Sequence, residues 1–320
     1  MCYLLKVALP LENLFSRRRR ALESAGQQSL LDFLAPVPPE AQAEARETPF
    51  APPPAPRRDG PPLRVGVLGS GSGGNSVVVE SGSHRLLIDA GFSCREIVKR
   101  MQEIGFDPRT LDGVVLTHEH QDHCKGARLL LKRFKLPVYG TAGTLAHAGL
   151  RAEAAKAGGE IRSGEPREIA GFVVEPFLIP HDASEPVGFV IEDPCGRRIG
   201  LIADVGCRTS LAWGRLRDLD VLILETNHDL DMLRNGPYPW SLKQRVAGRH
   251  GHLSNREAAE GLPELVGDRL RWVVLYHLSR TNNLPALAAE AIGETLDRER
   301  CPAQMAVTEQ DHPTPWLEVS

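Results

Sequence analysis

Short apolar runs alternate with amphipathic stretches along most of this chain. Arg64-Val65-Gly66-Val67-Leu68 and Ser76-Val77-Val78-Val79-Glu80 read as strands flanking a glycine-rich turn, and His84-Arg85-Leu86-Leu87-Ile88-Asp89 reads as a third. Ser93 has the character of a helix N-cap, with Glu96 as its capping-box partner, and the amphipathic pattern then runs to Ile104. Gly113-Val114-Val115-Leu116-Thr117 predicts another buried strand and 121–134 one continuous helix. Further strands are expected at 172–179, 187–191, 198–203, 221–225 and 271–276, with helices at 210–216, 254–265 and 285–296. Strands interleaved with helices predict an α/β (α+β) domain whose sheets are covered by helices.

Residues 1–63 break this pattern. Ten of the 25 prolines lie between Pro36 and Pro62, mixed with Ala, Glu and Arg. Such a segment buries too little apolar surface to offset its ordering entropy, which predicts a disordered tail before a catalytic domain at 64–320. The remaining composition, 42% hydrophobic and 25% charged, suits a globular core. A net charge of -3 supplies no global basic field for nucleic acid, although local patches can still steer one. The six cysteines form no C-x-x-C pair, so neither a zinc ribbon nor a disulfide framework is indicated. Near the N-terminus the arginines Arg17 to Arg20 follow the apolar residues instead of preceding them, the wrong order for a secretory signal. With no run long enough to span a bilayer, the expectation is a cytoplasmic protein without a membrane partner.

The chemistry concentrates at Thr117-His118-Glu119-His120-Gln121-Asp122-His123. In extended backbone His118 and His120 point the same way, while Asp122 and His123 start a helix and approach from another direction. Imidazoles plus a carboxylate at a strand-to-helix junction can supply parts of two metal sites; they suit zinc, with manganese or iron as alternatives.

This H-x-H-x-D-H run resembles the hallmark of the metallo-β-lactamase superfamily, and the similarity extends from about Leu63 to the C-terminus. The resemblance implies a four-layer αββα sandwich with ligands on loops at one edge. It assigns later ligands to His181 in Ile179-Pro180-His181-Asp182-Ala183, Asp204 in Leu201-Ile202-Ala203-Asp204-Val205-Gly206 and His277 in Leu275-Tyr276-His277-Leu278-Ser279. By this carry-over His118, His120 and His181 hold one divalent ion, Asp122, His123 and His277 hold a second, and Asp204 bridges them. His84, His147, His250 and His312 fit no motif.

Two such ions suit hydrolysis of an ester or phosphodiester, with Asp122 also holding the attacking water. His252, in Gly251-His252-Leu253-Ser254-Asn255, precedes a helix whose polarised amides suit a phosphate neighbour and a histidine acting as general acid. Together with Ser70 to Ser76, Glu225-Thr226-Asn227-His228-Asp229 and His277 to Asn283, these motifs resemble the YycJ (WalJ) branch, which implies nucleic-acid processing with DNA favoured over RNA, and exonuclease activity on DNA. The tail before Leu63 departs from that branch. A small-molecule hydrolase (thioesterase, lactonase or cyclic phosphodiesterase) would use the same ligands, and a third reading is a tethered accessory protein.

Lys125, Arg128, Lys132 and Arg133, with Lys243, Arg245 and Arg249, could steer phosphates or simply be solvated faces. Asn227 and His228 either face the centre or cap the next helix. Within the tail, Gln27-Gln28-Ser29-Leu30-Leu31-Asp32-Phe33-Leu34 resembles the peptides that bind DNA sliding clamps, a glutamine followed by leucine and an aromatic.

Overall fold

In a computed structural model of the chain, residues 59–320 are described. Its valine-, isoleucine- and leucine-rich strands gather into two seven-stranded sheets. The first holds β1 (Leu63–Gly69), β2 (Ser76–Ser81), β3 (His84–Ile88), β4 (Gly113–Val115), β5 (Val138–Gly140) and β6 (Gly158–Glu160). The second holds β7 (Arg167–Ile169), β8 (Phe172–Leu178), β9 (Val187–Glu192), β10 (Arg198–Ile202), β11 (Val221–Glu225), β12 (Trp272–Tyr276) and β13 (Gln304–Val307). The last strand, β14 (Leu317–Val319), returns to pair antiparallel with β1.

The two-residue period of a strand decides the layering. Val65, Val67, Val77 and Val79 of the first sheet meet Phe172, Val174, Phe189, Leu201 and Ile223 of the second in one buried cluster. The opposite face of the first sheet, with Leu68, Val78, Leu87 and Val114, takes Ile97 and Met101 of α1 (Cys94–Glu103) and Leu130 and Leu131 of the 127–134 helix. The outer face of the second, with Ile202, Leu222, Leu224, Val273 and Leu275, packs on helices contributing Trp213, Ala258 and Ile292. Helix, sheet, sheet, helix is the order of layers, as expected. The central strands β1, β2, β9, β10, β11 and β12 are buried on both faces, which is why they read as unbroken apolar runs.

Three local expectations fail, the first for a reason that matters to function. The helix expected over 121–134 is two, α2 (Gln121–Cys124) and α3 (Ala127–Phe134). The carbonyls of Asp122 and His123, which a continuous helix would spend four residues on, instead accept from Asn75 N (2.8 Å) and Ala90 N (2.7 Å). Gly126 N in turn donates to Ala90 O, and a Cβ at Gly126 would stand 2.1 Å from Phe92 O. At α1, Ser93 does cap, accepting from Glu96 N, but the Glu96 carboxylate pairs with Arg100 Nε at 2.8 Å rather than closing a capping box. The helix expected over 254–265 is α-helical only at Asn255–Gly261, with a 3₁₀ turn at Leu262–Glu264, and there Ser254 and Glu257 do form the full box. Of the tail expected over 1–63, residues 1–58 with the 27–34 motif lie outside the described residues, whereas Leu63 is buried and opens β1.

Gly91 shows how closely these loops approach. A Cβ there would lie 1.7 Å from Asp122 O and 2.5 Å from Asn75 N. Backbone, unlike a flexible side chain, cannot swing aside. Gly91→Ala should therefore lower stability by about 1–3 kcal/mol, read as a lower urea midpoint at unchanged m-value, and should reduce the metal retained after purification. A variant as stable as the parent would contradict this close packing.

Candidate metal centre

Every residue singled out for metal binding sits just beyond a strand end. His118 and His120 follow β4, Asp122 and His123 open α2, His181 follows β8, Asp204 follows β10 and His277 follows β12. Asp204 and His277 adopt left-handed backbone (φ 55° and 59°), as does Asp89 (φ 58°) after β3. Such residues cost roughly 1–3 kcal/mol each and persist only where neighbours hold them. The neighbours are visible: Val205 N donates to Glu225 Oε2 (2.8 Å), and His277 N donates to Ser70 Oγ (2.7 Å).

All seven side chains converge. Ligand-type atoms of His118, His120 and His181 lie within 4.8 Å of one another, as do those of Asp122, His123 and His277, and those of His118, His123 and Asp204. His181 Nε2 is 3.2 Å from His120 Nδ1, His123 Nε2 is 2.9 Å from Asp204 Oδ2, and His277 Nε2 is 3.5 Å from Asp122 Oδ2. The carboxylate of Asp204 thus stands between the two groups of imidazoles.

The far side of four of the five rings is tied down. His123 Nδ1 meets Asp89 Oδ2 at 2.7 Å, His277 Nδ1 meets Glu225 Oε1 at 3.1 Å, His118 Nδ1 meets Thr117 Oγ1 at 3.0 Å and His181 Nδ1 lies 3.3 Å from Gly251 O. Asp89 also accepts from Thr117 N and Oγ1. Partners of this kind fix which nitrogen faces the centre and raise its donor strength. Inside, the buried atoms His118 Nε2, Asp204 Oδ2 and His277 Nε2 have no hydrogen-bond partner, Asp204 Oδ2 being near His123 but without bonding geometry. Three orphaned donor atoms, in a set of five imidazoles and two carboxylates, are what a cation would satisfy.

The electrostatics agree. Burial and the adjacent His123 push His118 well below the ordinary imidazole range, leaving it neutral. Burial also acts to lower His277, yet Asp204, Asp122 and Glu225 overcome it and raise the ring to about 10. His123 is driven well up in the same way by Asp204, Asp89 and Asp122 against its burial. Asp204, despite burial, is held well below the carboxylate range by His277 and His123. These carboxylates demand a positive charge, and protons on imidazoles supply it when nothing else does.

His252 is where it was expected, beside the centre, but its environment differs. Its Nδ1 is 2.8 Å from Glu225 Oε1, and its ring centroid lies 5.2 Å from that of His277. Burial lowers the ring's proton affinity and Glu225 more than restores it, so a buried carboxylate rather than the amides of the following helix raises the proton affinity of His252. Asn227 faces the centre, donating from Nδ2 to His277 O (2.9 Å), while Asp229 caps the next helix by accepting from Asp231 N and Met232 N. His228 is buried with neither ring nitrogen bonded, and burial pushes it down to about 4.

Sequence reasoning gave Asp89 no role and took Ser70, Asn75 and Glu225 only as parts of motifs. Asp89 and Glu225 each end an apolar strand, as Asp204 does, and only the resemblance singled Asp204 out. Asn75 closes the glycine-rich turn, its Oδ1 accepting from Ser70 Oγ and Gly71 N, and its Nδ2 reaches His123 Nε2 at 3.1 Å. Lys125, Arg128, Lys132 and Arg133 are exposed, Arg128 being paired with Glu153, whereas Arg245 pairs with Asp182 at 2.7 Å beside His181.

Residues 84–278 match the family described as the beta-lactamase superfamily domain. The chain is 33% identical over 239 residues, 74% of its own length and 90% of the relative's, to the exodeoxyribonuclease YycJ of Bacillus anthracis. It is 33% identical over 236 residues to the exodeoxyribonuclease WalJ of Streptococcus pneumoniae, across 71% of this chain and 85% of that one. Among solved structures, the metallo-β-lactamase fold protein YhfI of Bacillus subtilis superimposes with a TM-score of 0.63 at 18% identity, covering 81% of this chain and all of that one.

The pKa directions predict a pH profile for protein stripped by a chelator. His277 and His123 have raised folded values, so their stabilisation is full below the unfolded imidazole value near 6.5 and is lost as pH rises, for His277 toward 10. Asp122 and Asp204 have lowered folded values, so their contribution is present above 3.8 and is lost as pH falls. The buried rings of His118, His181 and His228 have lowered folded values and gain stability as pH rises toward 6.5, so the urea midpoint of the stripped protein should peak near pH 6.5 and decline toward pH 10. A midpoint rising between pH 7 and 9 would contradict the charge balance described.

Proposed function

Because the chain belongs to the beta-lactamase superfamily and is a metal-dependent hydrolase acting on phosphodiesters, we propose that it is a cytoplasmic exonuclease that cleaves DNA during repair or replication. The observation carrying this reading is the convergence of seven nitrogen and oxygen ligands with an eighth group, His252, held at their edge by Glu225. His118, His120 and His181 would hold one divalent ion, Asp122, His123 and His277 a second, and Asp204 would be shared. Zinc suits this donor set best, with manganese and iron as alternatives.

Bound there, the ions lower the pKa of water toward neutrality and neutralise charge that builds on a phosphate. The side chains do the rest. Asp122, a quarter exposed at the mouth of the centre, accepts a hydrogen bond from the attacking water at Oδ2. Glu225 Oε1 fixes the His252 ring through Nδ1, leaving Nε2 to donate its proton to the departing oxygen. Buried Glu225 thus orients both a ligand and an acid.

His252→Ala should lower kcat on linear DNA about 10²- to 10⁴-fold with metal content unchanged, and Asp122→Ala should abolish turnover. The assay supplies zinc or manganese and offers linear DNA, RNA and a thioester in parallel. Thioester turnover without nuclease activity would overturn the proposal in favour of a small-molecule hydrolase.

We further propose that the tail, 1–63, tethers the enzyme to a DNA sliding clamp through 27–34, a segment outside the described residues. A disordered linker with a few apolar anchors raises the local concentration of an enzyme at its substrate. Peptide 24–36 should bind the cognate clamp in calorimetry, and Phe33→Ala should remove that binding. Equal heats from both peptides would dismiss the tether.

A further inference from the structure

Between Asp229 and Gly251 the chain makes an excursion in which Leu233 is the one buried apolar side chain. It carries two short helices, Leu230–Asn235 and Trp240–Val246, and no residue of the second is buried. Trp240 opens that helix with 70% of its surface exposed, the largest exposure of any large apolar side chain among the described residues and the one aromatic among them. Between Arg234 and His250 the sequence holds Arg234, Lys243, Arg245 and Arg249 and no acidic residue, in a chain whose net charge is -3.

This excursion is fastened to the metal centre. His252 N donates to Val246 O at 2.9 Å, and Arg245 pairs with Asp182, the neighbour of His181. Gly251 is so close that a Cβ would fall 2.2 Å from the carbonyls of Arg245 and Val246, and Gly206, two residues past Asp204, would meet Arg249 at 2.4 Å. A helix of seven residues is about 10 Å long, so Trp240 stands one short helix from the general acid.

Trp240 heads a basic helix that buries none of its residues, so packing does not account for its placement. A flat aromatic face flanked by lysine and arginine matches one class of ligand: an unpaired base with its phosphates. Resting on the nuclease reading above, we infer that Trp240 with Lys243 and Arg249 forms a platform for single-stranded DNA, on which a base stacks while the backbone runs to His252. Paired bases cannot present a face to Trp240, so the platform selects single strands or frayed ends.

The test compares kcat/KM on a 15-mer oligothymidylate with kcat/KM on bis(p-nitrophenyl) phosphate, a diester too small to reach Trp240, in the same metal-loaded sample. Because the two are expressed as a ratio, partial misfolding cancels. Trp240→Ala should lower the ratio about tenfold and Trp240→Phe should restore most of it. Lys243→Ala with Arg249→Ala should reduce the salt slope of oligonucleotide affinity by about 1.4, two single-strand phosphate contacts. A ratio unmoved by Trp240→Ala, in a wild-type chain that does cleave DNA, overturns the platform alone. A wild-type chain that hydrolyses the small diester but no DNA overturns the nuclease reading and the platform with it.

Discussion

Buried negative charge governs this molecule. Asp89, Asp204 and Glu225 are almost wholly removed from water, and Asp122 stands at the mouth of the same cluster. Carboxylates at the edge of an apolar sandwich carry a desolvation cost that only paired positive charge and hydrogen bonds can offset. Five histidine rings surround them, two of which bind protons far more tightly than usual. The centre is therefore built to hold cations, and the loops around it exist to keep those carboxylates in place.

That constraint explains the departures from regular structure. The 121–134 helix breaks because the carbonyls of Asp122 and His123 are tied to Asn75 and Ala90. Asp89, Asp204 and His277 accept left-handed backbone because the turn it creates swings each side chain from a strand end into the centre. The loop Gly69 to Asn75 reads from sequence as a strand-to-strand turn, and it is one, but its Asn75 and Ser70 also bond to His123 and His277. Strain in one loop is held by hydrogen bonds from another, so the centre is cooperative.

The apolar strands and the ligand run 118–123 were legible because burial on both faces and a dense ligand spacing leave strong local signals. Short elements such as β5, β6 and β14 were not, since three residues of mixed burial carry no periodicity. His181, Asp204 and His277 were reachable only through resemblance, each being an ordinary residue until the fold brings it across the sheets. Asp89 and Glu225 look the same in sequence as Asp204, a carboxylate ending an apolar strand; which of the three points inward and which supports a histidine depends on strand order, which no local pattern encodes. The environment of His252 was misjudged for the same reason, since Glu225 lies 27 residues away.

The direction of approach follows from exposure. His118 and His123 are sealed, whereas His120, Asp122 and His252 remain a fifth to a third open. A substrate must therefore enter on the side of those three, and that side is bordered by Asp182, whose carboxylate is 4.0 Å from His120 and bound by Arg245. An acidic residue at the mouth would repel a phosphate were it not neutralised by that guanidinium. The Arg245–Asp182 pair is exposed and worth little to stability, but it turns a repulsive rim into a neutral one and anchors the basic helix beside the entrance. Placement, more than strength, is what such a pair contributes to an enzyme that acts on phosphodiesters next to four carboxylates.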